Sequence, residues 1–297
     1  MLYYRINYRR SILFTDTHCH LSLVAERGEN LAELIRTMGE RGYRFVLDIG
    51  TKPGDLAKRM ERICADGVPS FIHFTAGLWP DSGVIAERFD SIKILESDIG
   101  KMLALPSEFA ALGECGLDRY WNGPQALERD ATGGEDGPGT TDTSGEEELF
   151  SMQLELAKKK SLPVIIHSRE AFDATLGCVR NCGWDSGVIH CFSYGIEEAR
   201  AFIDRGWYIS FPGNITWGKR EADRDRIESL LRYVPRDRFL LETDAPYLSP
   251  APHRGKTNTP LLIEHTYARA AQAIGLDVPA LAELVFANAR DLFSRKS

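Results

Sequence analysis

The strongest constraint on the fold of this chain is a repeated alternation of short apolar runs with amphipathic stretches. Eight runs rich in β-branched, aromatic or aliphatic residues each have the length of one strand. They cover residues 12–18, 43–49, 70–77, 109–114, 163–167, 187–190, 207–211 and 238–243. Apolar residues spaced as in amphipathic helices lie between them, at 30–41, 54–65, 147–160, 170–182, 196–205 and 220–233.

A strand followed by a helix, repeated eight times, predicts an α/β fold and specifically a (β/α)8 TIM barrel. The 297 residues would suffice for one such barrel or for two average domains. An open doubly wound sheet is the rival, but no glycine-rich phosphate loop follows the first run. Because the rhythm continues in phase along the chain, we expect a single TIM-barrel domain over residues 1–297.

One segment interrupts this rhythm after the fourth strand. Residues 122–148 contain eight acidic residues, one basic residue, six glycines and two prolines, and they account for the whole net charge of −7. Such a composition buries too little apolar surface to offset the entropy lost on ordering. We therefore predict a mobile acidic insertion at 122–148.

Composition excludes several classes of protein. With 43% hydrophobic and 27% charged residues, the chain is neither wholly disordered nor fibrous. Its six cysteines are too sparse for a disulfide scaffold, which favours a reducing compartment. The first ten residues are basic and aromatic without the apolar stretch of a secretory signal, and no run has the length of a membrane span. We therefore expect a cytoplasmic protein without membrane association.

Residues with metal-binding side chains stand at the ends of five predicted strands. These ends read Asp16-Thr17-His18-Cys19-His20, Gly113-Glu114-Cys115, His167-Ser168-Arg169, His190-Cys191-Phe192 and Glu242-Thr243-Asp244. In a parallel barrel all these ends meet at one face, where active sites assemble. A lone buried histidine is usually a hydrogen-bonded core residue. Here, four of the chain's seven histidines share these positions with acids, which favours a metal site.

The sequence around these residues resembles the TatD-like metal-dependent deoxyribonucleases of the amidohydrolase superfamily. The resemblance extends roughly from residue 14 to residue 290. It rests on DTHCHL at 16–21, ALGECGLDRYW at 111–121, LPVIIHSREAF at 162–172, VIHCFSYG at 188–195, LLETDAPYLSP at 240–250 and HRGKTNTP at 253–260. Several long motifs in the same order make this a specific resemblance.

The resemblance implies a TIM barrel with a divalent centre, expected to hold two ions per chain. One ion would be bound by His18, His20, Glu114 and Asp244, and the other by Glu114, His167 and His190, with Glu114 as the bridge. The ligand types suit zinc, manganese or cobalt about as well as magnesium. Cleavage of a DNA phosphodiester would proceed by attack of a metal-activated water, with Asp244 orienting that water or accepting its proton.

Three further residues are candidates for substrate binding. Arg169 and Arg254 would hold phosphate as bidentate donors. Relatives usually carry Gly-x-His-Pro after strand three, whereas this chain reads Gly77-Leu78-Trp79-Pro80. Trp79 cannot bind metal, but it can stack on a base. The acidic insertion and the basic segment 3–10 are the other departures from the family pattern.

Three functions follow from these observations. The first is a deoxyribonuclease that acts on DNA ends or short single strands, because the chain lacks a long basic track. The second is an amidohydrolase-type hydrolase of an amide, lactone or small phosphate ester on the same metal centre. The third, a barrel that binds metal or a partner without catalysis, is disfavoured by the intact set of potential ligands.

Overall fold

The computed structural model describes residues 13–295 except 66, 68, 125–138 and 219. The described residues contain eight strands, each of which overlaps one predicted run. The strands are β1 (Thr15–Cys19), β2 (Phe45–Asp48), β3 (Ile72–Phe74), β4 (Leu112–Asp118), β5 (Val164–Arg169), β6 (Gly187–Ile189), β7 (Tyr208–Phe211) and β8 (Phe239–Leu241).

Helices connect these strands, and their ends follow from local capping. The helices are α1 (Leu21–Glu26), α2 (Leu31–Glu40), α3 (Asp55–Ile63), α4 (Ser82–Ala86), α5 (Arg88–Leu103), α6 (Thr143–Lys160), α7 (Phe172–Cys182), α8 (Ile196–Ile203), α9 (Glu221–Tyr233), α10 (Ile263–Ile274) and α11 (Val278–Phe293). Asn30 and Asp277 accept backbone N–H groups at the starts of α2 and α11. Gly183 and Gly275 end α7 and α10 with left-handed φ angles of 66° and 72°.

All neighbouring strands run parallel, in two sheets that close into one barrel. The sheets have the orders β1-β2-β3 and β4-β5-β6-β7-β8. Isolated parallel bridges join Ala76 to Leu112 at one seam and Cys19 to Ala245 at the other. At the second seam, the His20 N–H donates to the Ala245 carbonyl at 2.7 Å. The predicted TIM barrel is therefore confirmed.

The bottom of the barrel, at the amino ends of the strands, is closed by aromatic packing. The Phe45 ring lies 5.0 Å from Phe109 and 5.9 Å from Phe293, the last residue of α11. His73 packs within the same group, 4.6 Å from the Phe109 ring, and its Nδ1 lies 3.0 Å from the Ser107 hydroxyl. This packing fills the end of the barrel formed by the amino ends of the strands. The polar side chains at the carboxyl ends of the strands lie at the opposite face.

The buried position of His73 predicts a pH-dependent stability. Burial lowers the pKa of His73 to about 4 from an ordinary 6.5. The unfolded chain therefore takes up this proton at a higher pH than the folded chain does. The free energy of unfolding should fall by at most about 3 kcal/mol from this residue as the pH drops from 6.5 to 4.

We expect His73→Gln to flatten this dependence, because glutamine retains a polar group for Ser107 but does not titrate. Urea unfolding of both proteins in chelator, at a series of pH values, measures the difference in slope. The chelator removes metal from both proteins, so the other histidines contribute equally to the pH dependence of each. Identical pH slopes would contradict the prediction, whatever the absolute stability of the variant.

The predicted insertion at 122–148 differs from the structure at both ends. Asn122 is buried, and α6 begins at Thr143. The buried Glu146 carboxylate accepts the Asp118 N–H at 2.8 Å and the Asn122 amide at 2.9 Å. These ends belong to the barrel because Glu146 satisfies polar groups at the end of β4. The middle, 125–138, lies outside the described residues, as does the basic segment 3–10.

Among the described residues, no single helix is both long and apolar enough to cross a membrane. In the described part of the chain, one pair of helices, Pro260–Ile274 and Val278–Phe293, meets the criteria of length and composition together, and this pair is bent by 101°.

Candidate metal centre

The predicted ligand residues converge at the carboxyl ends of the strands. β1 carries His18, with His20 directly after it. β4 and β5 carry Glu114 and His167, and His190 follows β6 directly. Asp244 follows β8 in a left-handed conformation with φ 53°, and its N–H donates to the His18 carbonyl at 2.9 Å.

A register shift in β4 sets the position of Glu114. Gly113 pairs with Ile165 and Cys115 pairs with Ile166, so Glu114 is an extra residue without a partner on β5. Its N–H donates instead to the Gly50 carbonyl at 2.8 Å. Bulges of this kind re-aim side chains near active sites. Here the bulge places the Glu114 carboxylate among the four histidines.

Four side-chain atoms form the first cluster: His18 Nε2, His20 Nε2, Glu114 Oε2 and Asp244 Oδ1. The two imidazole nitrogens lie 3.2 Å apart. Their distances to the Glu114 oxygen are 3.3 and 3.6 Å, and those to the Asp244 oxygen are 3.7 and 3.6 Å. Ligands bound tetrahedrally to zinc at about 2.1 Å lie roughly 3.4 Å from one another. The cluster therefore has the dimensions of a divalent cation site.

Three atoms form a second cluster around the other oxygen of Glu114. Oε1 lies 3.0 Å from His167 Nδ1 and 2.9 Å from His190 Nε2, and these two nitrogens are 3.2 Å apart. The His18 and His190 rings stack with centroids 3.9 Å apart, which holds the two clusters side by side. One carboxylate thus presents each of its oxygens to a separate cluster.

The electrostatics of the site favour bound positive charge. Burial opposes ionisation of Glu114, but the charge of His190 and hydrogen bonds from His167 and His18 hold its pKa well below the ordinary value. Burial lowers the pKa of His18 to about 4. Among the described residues, no lysine or arginine forms an ion pair with Glu114 or Asp244. The donor set therefore fits divalent cations, which replace protons on such groups.

Asp118 also belongs to the site, although it was not among the residues predicted from the sequence. Its Oδ2 lies 2.9 Å from His167 Nε2, so the opposite ring nitrogen faces Glu114. Burial would lower the pKa of His167, but Asp118 and Glu114 raise it to about 9. A signal was available, because residues 114 and 118 share one face of a strand.

Two other acidic residues contact the backbone or side chains of cluster residues without belonging to either cluster. Glu242 Oε1 lies 3.5 Å from His190 Nδ1 and accepts the Cys191 N–H, and its Oε2 accepts the Ser210 hydroxyl. Asp16 accepts the N–H groups of His18 and Thr243, so it connects β1 to the segment after β8.

The three predicted substrate residues lie at separate points of this face. Trp79 is half-buried, and its ring meets His167 edge-on with centroids 6.0 Å apart. Arg169 is exposed, with its guanidinium 3.8 Å from the centre of the Tyr120 ring. Arg254 is also exposed and lies 4.4 Å from the centre of the Trp217 ring. Only Trp79 contacts a side chain of the clusters.

Comparisons with known proteins identify relatives that match nearly the whole chain. The Escherichia coli K12 protein described as uncharacterized metal-dependent hydrolase YcfH is 31% identical over 290 residues, which cover 95% of this chain and 96% of the relative. The 3′-5′ ssDNA/RNA exonuclease TatD of Rahnella sp. strain Y9602 is 31% identical over 270 residues, with 89% and 91% covered.

A solved structure and a family profile give the same result. The crystal structure of YJJV, a TatD homologue from Escherichia coli K12, superposes with a TM-score of 0.75 at 26% identity, covering 94% of this chain and 97% of the other. The profile described as TatD related DNase matches residues 15–294, which include every residue of both clusters. The chain belongs to the TatD-related DNase family.

Proposed function

We propose that this protein is a metal-dependent nuclease that hydrolyses phosphodiester bonds of DNA. The observation that carries the proposal is the Glu114 carboxylate, which presents one oxygen to each of two adjacent clusters. Family membership and the nuclease name of the Rahnella relative support the same reaction class. Single strands and DNA ends are the proposed substrates.

Two divalent ions are proposed, in the arrangement that the family resemblance implies. His18, His20, Glu114 and Asp244 would hold one, and Glu114, His167 and His190 the other. Four imidazoles with two carboxylates suit zinc, manganese or cobalt about as well as magnesium. When bound, such ions offset the charge of the phosphate and lower the pKa of water.

Asp244 is the proposed proton acceptor for the attacking water. Its side chain is 13% exposed, whereas the side chains of Glu114 and His18 are 5% and 0% exposed. Asp244 is therefore the more solvent-accessible of the two carboxylates in the clusters. The Asp244 N–H donates to the His18 carbonyl, and the Tyr247 N–H donates to the Asp244 carbonyl. These two hydrogen bonds fix the backbone at Asp244. A carboxylate held at this opening can orient a water and accept its proton.

Arg169, Arg254 and Trp79 are proposed to bind the substrate. The two guanidiniums would pair with phosphates on either side of the scissile bond. Trp79 would stack on a base beside His167.

A cytoplasmic location is part of the proposal. All six cysteines are free, which suits a reducing compartment.

The test is to strip the protein of metal and add Mg²⁺, Mn²⁺, Zn²⁺ or Co²⁺ separately. Labelled single-stranded DNA, duplex DNA, lactones and small phosphate esters are the substrates. We expect cleavage of single-stranded DNA with at least one metal and none in chelator. Hydrolysis of lactones without cleavage of DNA would contradict the proposal and support the amidohydrolase alternative.

Asp118→Asn provides a test of how His167 is held. The amide removes the negative charge beside Nε2 but keeps the size of the side chain, so the ring is less firmly oriented. We expect metal affinity and turnover to fall by about 10- to 100-fold. Metal titration and cleavage rates across a pH series measure these effects.

Asp173→Asn, in the first turn of α7, is the matched control. It makes the same chemical change outside both clusters and should behave as wild type. Unchanged metal affinity in Asp118→Asn would show that Asp118 does not position a ligand.

A further inference from the structure

A groove of about 540 Å³ opens at the same face as the candidate metal centre. Its walls come from the segments that follow β6, β7 and β8. Phe192 and Tyr194 come shortly after His190, Trp217 follows β7, and Arg254 belongs to the loop after Asp244. Chain connectivity therefore links the groove directly to two of the proposed metal ligands.

Two aromatic rings of the groove are held in place by their polar atoms. The Trp217 Nε1–H donates to the Ser249 carbonyl at 2.9 Å, and the ring remains half-buried. The Tyr194 hydroxyl lies 2.9 Å from the Ser168 hydroxyl and accepts the Ala171 N–H at 3.0 Å. Rings fixed in this way need little ordering when a planar ligand stacks on them.

The groove carries more positive than negative charge. Its lining includes Arg220, Arg226 and Arg254 but only one acid, Asp223, which pairs with Arg220 at 2.8 Å. Within the described part of the chain, neither Arg226 nor Arg254 forms a close ion pair, although the Arg226 charge does act on the Asp223 carboxylate. An excess of two positive charges is notable in a chain whose net charge is −7. The available guanidiniums can pair with phosphates.

We propose that this groove binds a single-stranded segment of the nucleic acid substrate, an inference that rests on the proposed nuclease function. A base stacks in the groove beside Trp217, and Arg226 and Arg254 pair with the adjoining phosphates. The volume suits about one or two nucleotides. Stacking requires unpaired bases, so the site selects single strands over duplex.

Binding to metal-free protein tests this assignment separately from catalysis. Fluorescence anisotropy in chelator would follow labelled ten-nucleotide oligo-dT and oligo-rU across a series of salt concentrations. Trp217→Ala should weaken binding by about tenfold or more, because a base can no longer stack. The Arg254 guanidinium lies over this ring, so the slope of log K against log salt should fall by at most the one phosphate contact of Arg254. Trp217→Phe, which keeps an aromatic face, should recover most of the affinity.

The arginines should have a different effect. Arg254→Gln and Arg226→Gln should each lower the slope of log K against log salt by about 0.7, because each removes one phosphate contact with a single strand. Arg36→Gln is the control, since Arg36 is an exposed arginine of α2 paired with Glu40. It should leave both affinity and slope unchanged.

The outcomes separate the two proposals. If wild type cleaves DNA but the groove variants bind oligonucleotides with unchanged affinity and slope, the groove assignment is overturned and the nuclease function stands. If wild type neither binds oligonucleotides nor cleaves DNA with any metal, the proposed function itself fails. Equal affinity for a duplex, or displacement of the oligonucleotide by poly-glutamate at equal charge concentration, would also overturn the stacking site.

Discussion

Glu114→Ala should lower DNA cleavage by roughly a thousandfold or more, because loss of metal assistance costs several kcal/mol of transition-state stabilisation. The carboxylate approaches His18 at 3.3 Å with one oxygen and His190 at 2.9 Å with the other. Its removal takes a ligand from both clusters at once. Cleavage assays and metal analysis by mass spectrometry should show both activity and metal content falling.

Glu114→Gln and Glu264→Ala make this result interpretable. Glutamine retains the volume of the buried side chain but has no negative charge. The Glu114→Gln variant should therefore lose activity even if circular dichroism shows that its fold is unchanged. Glu264 lies exposed on α10, and its substitution should have no effect on either measurement. Wild-type cleavage by both Glu114 variants would refute the bridge.

Substitutions of the two histidines of the first cluster should have unequal effects on metal content. His20→Ala removes one ligand of that cluster alone, so metal content should fall by about one ion per chain and the rate by about a hundredfold or more. His18→Ala should lower the content of both sites, because the His18 ring also stacks on His190 at 3.9 Å. Metal analysis after dialysis against limiting metal measures the two variants side by side.

His265→Ala is the matched control for this pair. It removes an imidazole from α10, where the ring packs against His253 outside both clusters. Metal content should therefore match wild type. Full stoichiometry in His18→Ala and His20→Ala would mean that neither imidazole binds a metal ion.

The fold was predictable because its signals are local. Each predicted strand run overlaps one observed strand, although β4 continues four residues past the predicted end at 114. The six predicted helical stretches contain α2, α3, most of α6, α7, α8 and α9. Side-chain periodicity reports which face of an element is buried, so it needs no knowledge of distant contacts. Composition did not predict the structure at the ends of 122–148. Glu146 holds these ends through specific polar groups at and just after the end of β4, and composition carries no information about such partners.

The sequence by itself determined the order of strands and helices and the side chains that stand at each strand end. Parallel strands bring those ends to one face, so the convergence of His18, Glu114 and Asp244 followed from topology alone. Only the tertiary structure decided that Glu114 divides its oxygens between two clusters, that Asp118 holds His167, and that Arg254 lies over Trp217. These contacts depend on a bulge and on loops whose conformations are set by packing against distant segments, and no local pattern encodes that packing.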